Sequence, residues 1–472
     1  MKKEVVEDLK EIVGEKWVDT DADRVMSYAW EYTNDSYGLV SPEPVEDCVV
    51  VKPENEDEIS QIMEYANENL VPVIPKGGNT ALAANAIPDE PGIILVLERM
   101  NEKIEIDDVN LTVTCETGIT LEDLVEEMND HPNLYFPLHP GDEGAQIGGM
   151  AAMNAGGVRA VKDGIMRDQI RGLKAVLPTG EKVNFGNRDG NLVKNNTGYD
   201  LMQMMIGSEG TLGIITEVTL DLKPEPDHSA TLIIPFENRS DAFSAVPRML
   251  QEGLIPLAVE FVERDQILET AEDLGKEWPA KEGEGDLMII LAEDSEEDIF
   301  ETAAAIEKIC EEFGSLNTLV ADTTQEERDL LEIRSHFLPA IEERILDCPD
   351  ITVPRSELDD LMDKLDELSE KYDVEMPLLA HAADGNLHAF IMLEDEDVNE
   401  VPDYYEDLKR EMYEATIELG GTITGEHGVG ALRMKEMSLQ YTDRELELMK
   451  QIKKSFDPNN ILNPRKVVDS DS

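Results

Sequence analysis

Apolar and polar positions fall into blocks of changing period along this chain. VEDCVVVKP (45–53) ends a strand in a continuous apolar run, and EDEISQIMEYANENL (56–70) spaces its apolar residues as a helix does. VPVIP (71–75) is a strand that runs straight into KGGNT (76–80). IILVL (93–97) and LTVTCET (111–117) predict further strands, and TLEDLVEEMND (120–130) a helix. IRGLKAVLP (170–178) and EKVNF (181–185) are strands joined through a Thr179-Gly180 turn. Residues 1–42 read as short helices and connectors. Pro224-x-Pro226 marks a boundary. Beyond it, ATLIIPFEN (230–238) and GDLMIILAE (285–293) are strands, and SEEDIFETAAAIEKICEEFG (295–314) is an amphipathic helix with a glycine stop. Together they predict a second domain of βαβ type. Residues 403–420 and 443–456 are helical again.

Composition changes this picture in one respect. A chain of 472 residues with 41% hydrophobic content has ample core for two to four domains. Its 104 Asp plus Glu against 40 Lys plus Arg give a net charge of −64, spread along the whole length. Diffuse acidity of this kind is expected of a halophile, whose salty cytoplasm screens the self-repulsion. It argues against binding nucleic acid or an anionic membrane through a general basic surface. The four cysteines, Cys48, Cys115, Cys310 and Cys348, form no CxxC spacing and suit a reducing compartment. MKKEVVEDLKEIVGEKW has no apolar core of a signal peptide, and no apolar run approaches the roughly 18 residues of a membrane span. A cytoplasmic location is expected, with membrane association only through a partner.

Three glycine-rich segments carry candidate binding chemistry. PKGGNTAL (75–82) follows a strand, and its amides can form an anion-binding nest, with Asn79 and Thr80 as added donors. It is neither a P-loop nor the GxGxxG nicotinamide fingerprint. IGGMAAMNAGG (147–157) leaves room for a large flat ligand, and GSEGTLGIITE (207–217) is a third loop entering a β-rich stretch. Each alone reads equally well as a tight turn; three together favour an extended cofactor. Further on, HAADGNLH (381–388) places two histidines about an Asp384-Gly385 hairpin signal. A two-residue turn there sets His381 directly opposite His388, with Cβ atoms roughly 4.5–5.5 Å apart. Two such imidazoles can chelate one metal ion. In GGTITGEHGVGALR (420–433), Glu426 is a candidate third ligand and His427 points toward whatever reacts. Three N/O ligands with open positions suit a catalytic metal. The plainer alternative is that these histidines only stabilise a hairpin.

Read in order, PKGGNTAL, IGGMAAMNAGG, NNTGYDLMQMMIGSEGTLGIITE, HAADGNLH, GEHGVG and SFDPNNILNPRK resemble the FAD-linked oxidases of the vanillyl-alcohol-oxidase/PCMH superfamily. The resemblance covers about residues 43–467. It is narrowest to the flavin subunit of glycolate oxidase and the FAD-dependent D-lactate dehydrogenases. It implies an α+β fold: a PCMH-type FAD-binding domain of two subdomains plus an α+β cap. The implied organisation is an N-terminal helical segment (1–42), the FAD-binding domain (43–224), the cap or substrate domain (225–410), a segment returning to the FAD domain (411–467) and a tail (468–472). Lys76, Gly77, Gly78, Asn79 and Thr80 would hold the pyrophosphate of a non-covalent FAD, with Leu82 beside them. Gly148, Gly149, Asn154, Gly156 and Gly157 would line the flavin and its chain, and Gly210, Gly213 and Ile215 would contribute from the third loop. His381, His388 and Glu426 match metal ligands, for Zn, Mn or Fe. His427 matches a catalytic base, and Arg334 an arginine that binds the substrate carboxylate.

The sequence departs from the family pattern in places. Ala383 stands where glycine is frequent, a mild change if its φ is negative, and Arg465 stands where glycine is usual. CPDITVPR (348–355) lacks a lysine found in related D-2-hydroxyglutarate dehydrogenases, with Arg355 the one candidate second cation. That favours a small 2-hydroxy monocarboxylate over a dicarboxylate. The expected chemistry is oxidation of D-lactate or glycolate, with hydride passing to flavin N5. The alternatives are D-2-hydroxyglutarate oxidation, a redox-neutral exchange of the alkyl-dihydroxyacetone-phosphate synthase type, and a non-catalytic flavin subunit of an electron-transfer complex. With no cluster motif of its own, the chain would pass electrons to an external acceptor: a quinone, an electron-transfer flavoprotein or an iron–sulfur subunit. A homodimer is compatible with the sequence.

Overall fold

Ile59, Ile62, Met63 and Ala66 recur at helical spacing because they form the buried face of the helix Glu56–Asn69. Asn55 caps it, accepting the Glu58 N–H at 3.0 Å. In the computed structural model, which describes residues 3–186, 192–321, 323–394 and 398–468, that face shares a core with Val49, Val51, Val73, Ile93 and Leu95. Residues 469–472 of the expected tail lie outside the described residues. The chain divides into two compact units. The first comprises Met1–Gly156, Ile165–Glu225 and Glu426–Ser472; the second comprises Gly157–Gly164 and Pro226–Gly425.

The first unit holds two main sheets. In a four-stranded sheet, Val49–Val51, Ile93–Val96 and Val73–Lys76 run parallel. Its fourth strand, Val18–Asp19, pairs antiparallel with Val50 and Val51. The N-terminal residues, expected as helices and connectors, therefore also supply a strand, and Val5, Leu9 and Val13 join the same core. The second sheet has five antiparallel strands: Ile104–Asp107, Thr112–Glu116, Ile214–Asp221, Ile170–Val176 and Lys182–Phe185, in that order. The C-terminal stretch is tied in by Val73 N–H donating to Ile461 O at 2.7 Å and Asn463 N–H donating to Val73 O at 2.8 Å.

The second unit is built on a seven-stranded sheet, ordered Leu319–Val320, His228–Phe236, Gly285–Glu293, Ala258–Glu263, Leu378–His381, Asn386–Ala389 and Asp350–Thr352. Every neighbouring pair is antiparallel. This corrects the simple βαβ expectation. His228–Phe236 and Ala258–Glu263 are both antiparallel to Gly285–Glu293, so they run parallel to each other with that strand inserted between them. The helix Arg239–Gln251 makes the crossover, giving a split βαβ unit. Hydrophobic period identifies a strand's type, whereas its neighbours are chosen by long-range packing. Among the described residues no helix is long and apolar enough to cross a membrane.

Candidate active site

In the first unit three glycine-rich segments surround a cleft. The strand Val73–Lys76 opens into Gly77 and Gly78, and the chain turns at Asn79 with φ 67°. The second segment is not the loop its glycines suggested. Residues Ile147–Met153 form a helix that ends at Asn154 with φ 55°. Gly148 N–H donates to Thr117 O at 2.9 Å, and a Cβ at Gly148 would overlap the Thr117 side chain. Packing against the sheet thus selects glycine there, over its poor helix propensity. The third segment, 207–213, leads into Ile214–Asp221, the middle strand of the five-stranded sheet.

The cleft encloses about 1280 Å³ counted out to its open mouth. Lys76, Gly77, Gly78, Asn79, Thr80 and Leu82 line it from the first segment. Gly148, Gly149 and Gly156 line it from the second, and Gly210, Gly213 and Ile215 from the third. Asn154 and Gly157 are not among the lining residues. Asn154 closes the helix, accepting Arg167 N–H at 3.0 Å, and Gly157 belongs to the other unit. Lys76 is buried, and its ammonium donates to Ala86 O at 3.2 Å. Burial pushes its pKa down to about 8, against the pull of Glu31.

A dinucleotide fits what this cleft leaves open. Among the described residues, Asn79 Oδ1 and Gln146 Oε1 are buried without a hydrogen-bond partner, and both side chains belong to the cleft wall. Buried acceptors left unpaired cost about 1–3 kcal/mol each, which a bound donor recovers. Nothing lies within 4 Å of where a Cβ on Gly149 would stand, so that face is open. Glu426 and His427 also line this cleft. His427 Nε2 lies 3.9 Å from Glu426 Oε1, too far for a hydrogen bond.

The histidines of HAADGNLH stand in the second unit. Their register differs from the expected one: His381 pairs with Asn386, and His388 with Leu379. The loop is therefore the four residues 382–385 rather than Asp384-Gly385 alone. The shift is by two positions, so both imidazoles keep one face of the sheet as diagonal neighbours. Their ring centroids are 5.4 Å apart, edge to face. Gly385, at φ 89°, packs where a Cβ would strike the Val353 carbonyl, so pairing with the outer strand Asp350–Thr352 shapes the turn. Ala383 keeps a negative φ, so it is tolerated where glycine is frequent. Arg465, by contrast, takes the left-handed φ of 56° itself.

Each histidine is backed by a buried carboxylate. His381 Nδ1 lies 2.7 Å from Glu260 Oε1. An ionised carboxylate only accepts, so Nδ1 carries a proton, and in the neutral ring Nε2 presents its lone pair. Arg334 Nε donates to Glu260 Oε2 at 2.9 Å, and a second guanidinium N–H reaches the same oxygen. Burial pushes the Glu260 carboxyl up, but His381 and Arg334 outweigh it and hold it below its ordinary pKa. Asp350 Oδ1 lies 3.7 Å from His388 Nδ1, and Asp350 also accepts from Asn386 Nδ2 at 2.7 Å, Thr424 Oγ1 at 2.8 Å and Gly425 N–H at 2.8 Å. Oriented imidazoles with carboxylates behind them fit a metal site. The expected third ligand, Glu426, belongs to the first unit. Arg355 is exposed at the turn Arg355–Glu357.

Sequence reasoning missed Glu260, Asp350, Gln146 and Glu209. Glu260 sits in AVEFVE, where alternation suggests an outward polar residue. Glu209, set between glycines in GSEG, and Asp350, in the apolar CPDITVP, carried the better signal: an acid where small or apolar neighbours predict burial.

Comparison with known proteins agrees with this geometry. The family described as FAD linked oxidases, C-terminal domain, matches residues 225–467, and an FAD binding domain family matches residues 48–186. The chain is 37% identical over 430 residues to the D-lactate dehydrogenase of Archaeoglobus fulgidus, covering 91% of this chain and 93% of that one. It is 34% identical over 478 residues to the glycolate oxidase subunit GlcD of Bacillus subtilis, covering 100% and 98%. Among solved structures, p-cresol methylhydroxylase with substrate bound superposes with a TM-score of 0.80 at 16% identity, over 99% of this chain and 97% of that one. An alkyldihydroxyacetonephosphate synthase superposes with a TM-score of 0.71 at 19% identity, over 99% and 85%. At such identities these last two establish the fold alone.

Proposed function

This chain belongs to the FAD-linked oxidase family of FAD-dependent oxidoreductases, and from that premise we propose that it oxidises a small D-2-hydroxy acid, D-lactate or glycolate, to the 2-oxo acid. The observation that carries the reading is His427 on the wall of the glycine-built cleft, an imidazole facing the space a flavin would fill. Bound FAD supplies the two-electron acceptor for the substrate's Cα–H. His427 takes the hydroxyl proton, the task to which an imidazole is suited near neutrality. Arg334 spends two N–H groups on Glu260 and keeps three of the guanidinium's five for the substrate carboxylate. His381 and His388, with Glu426, would hold a divalent Zn, Mn or Fe, which would polarise the substrate hydroxyl as a Lewis acid. Reoxidation of the flavin would need an external acceptor: a quinone, an electron-transfer flavoprotein or an iron–sulfur subunit.

The test is anaerobic flavin reduction at high salt. D-lactate, L-lactate, glycolate and D-2-hydroxyglutarate are mixed with the FAD-loaded protein before and after chelation, and the visible flavin absorbance is followed. Bleaching by D-lactate or glycolate that chelation removes and added metal restores is the expected result. Bleaching by D-2-hydroxyglutarate alone overturns the substrate assignment, and no bleaching by any of the four overturns the dehydrogenase reading. His427→Ala is expected to abolish reduction while FAD stays bound; normal reduction in that variant removes His427 from the role of base.

A further inference from the structure

The loop that carries Glu426 and His427 is gripped a few residues later by a buried acid. Glu209 Oε1 accepts the Val429 N–H at 2.7 Å. Glu209 Oε2 accepts the Gly430 N–H at 2.7 Å and Asn85 Nδ2 at 2.6 Å. A carboxylate at 6% exposure is tolerated only when such donors surround it, and ionic hydrogen bonds of this kind are the strong ones. Glu209 is itself fixed before it grips anything. Its N–H donates to Ala152 O at 2.8 Å, and its carbonyl accepts Asn463 Nδ2 at 2.8 Å. Its φ is 52°, a left-handed conformation that a side chain with a Cβ adopts only when its surroundings impose it. On the other side of the contact stands Gly428, at φ 80°, where a Cβ would lie 2.7 Å from Glu209 Oε1 and 2.8 Å from Met153 Cε. The loop is shaped so that its backbone, and not a side chain, meets the acid.

We propose that Glu209 is a positioning residue for the reaction: its carboxylate clamps the Val429 and Gly430 amides and so fixes His427 on the cleft wall. The proposal rests on the reading of His427 as the base. Proton transfer requires the base within hydrogen-bond reach of the hydroxyl, and a displacement of about 1 Å can cost on the order of 100-fold in rate.

Two variants of the full, FAD-loaded chain test it. Glu209→Gln keeps the shape but turns an NH2 group toward an amide donor. Glu209→Asp keeps the charge but is too short to span both amides. In both, FAD content should stay stoichiometric and KM for D-lactate or glycolate should stay within about twofold, while the rate of anaerobic flavin reduction falls about 10- to 100-fold. Amide hydrogen exchange at 428–430 should quicken, with the strand Ile214–Asp221 unchanged. Parental reduction rates in both variants overturn the proposal. So does a loss of rate explained entirely by lost FAD, or a raised KM at unchanged kcat. If the parent protein is reduced by no hydroxy acid, the functional reading falls, and the exchange at 428–430 still decides the clamp: faster exchange supports it and parental exchange overturns it.

Discussion

The two units build their candidate sites by opposite means. In the first, the cleft is made largely of backbone: glycines on three segments, a short helix pressed against Thr117 and a left-handed turn at Asn79. In the second, His381 and His388 stand on paired strands and are held by charged side chains, Glu260, Arg334 and Asp350. One site is defined by what is missing and should be broken by adding atoms. The other is defined by ionic partners and should be broken by removing them.

The largest expected effect is on the charged side. Glu260→Ala leaves the Arg334 guanidinium and His381 without their shared, buried carboxylate. Breaking a buried ion pair from one side costs about 3–5 kcal/mol, and if His381 holds the proposed metal, losing the carboxylate behind it lowers metal affinity about 10- to 100-fold. Denaturant unfolding and competition with a metal chelator measure the two. FAD retention should be unchanged, and a stability loss well under 1 kcal/mol would show that water already screens the pair. Gly148→Ala makes the converse test. Its Cβ would overlap Thr117 Oγ1 and lie 3.1 Å from Thr117 Cα, so neither neighbour yields cheaply. Overpacking of this kind costs roughly 1–3 kcal/mol. FAD retention on dilution should weaken correspondingly, with metal binding untouched; full retention would mean that the helix slides and the cleft is not rigid.

The same contrast governs how much the sequence reveals. The helices Glu56–Asn69, Glu296–Glu312 and Asp443–Phe456 follow directly from apolar spacing and capping residues such as Asn55 and Ser295. The cleft is legible because glycines and a left-handed asparagine are chosen for local reasons that leave a local mark. Even so, Ile147–Met153 is a helix despite two glycines in its first turn, because packing on Thr117 overrides propensity. The histidine face is legible only in part. That His381 and His388 share a face follows from parity. Their register depends on Gly385 meeting Val353, a contact between residues 32 apart in sequence that no local pattern encodes. Glu260 and Glu209 escaped for the same reason: their partners, 74 to 221 residues away, exist only in the fold.

Lys76 lies between the two styles, a charged side chain within the glycine-built cleft, and its expected effect is a slope of stability with pH rather than a loss of binding. Its pKa is about 8 in the folded protein against an ordinary 10.5, because burial outweighs the attraction of Glu31. Below about pH 8 the ammonium is charged in both states and the cost of burying it is fully present. Between about pH 8 and 10.5 the folded state sheds its proton first, so the unfolded chain binds more protons and stability rises with pH. The gain is roughly 3 kcal/mol at most. Urea midpoints of the FAD-free protein should therefore climb more steeply across this range than those of Lys76→Met, whose remaining slope comes from other buried lysines such as Lys453 and Lys466. If Lys76 grips a pyrophosphate, bound FAD restores its affinity for the proton and the loaded protein loses the slope. If the slope survives FAD, the ammonium stays with Ala86 and Glu31, and the phosphate is held by backbone alone.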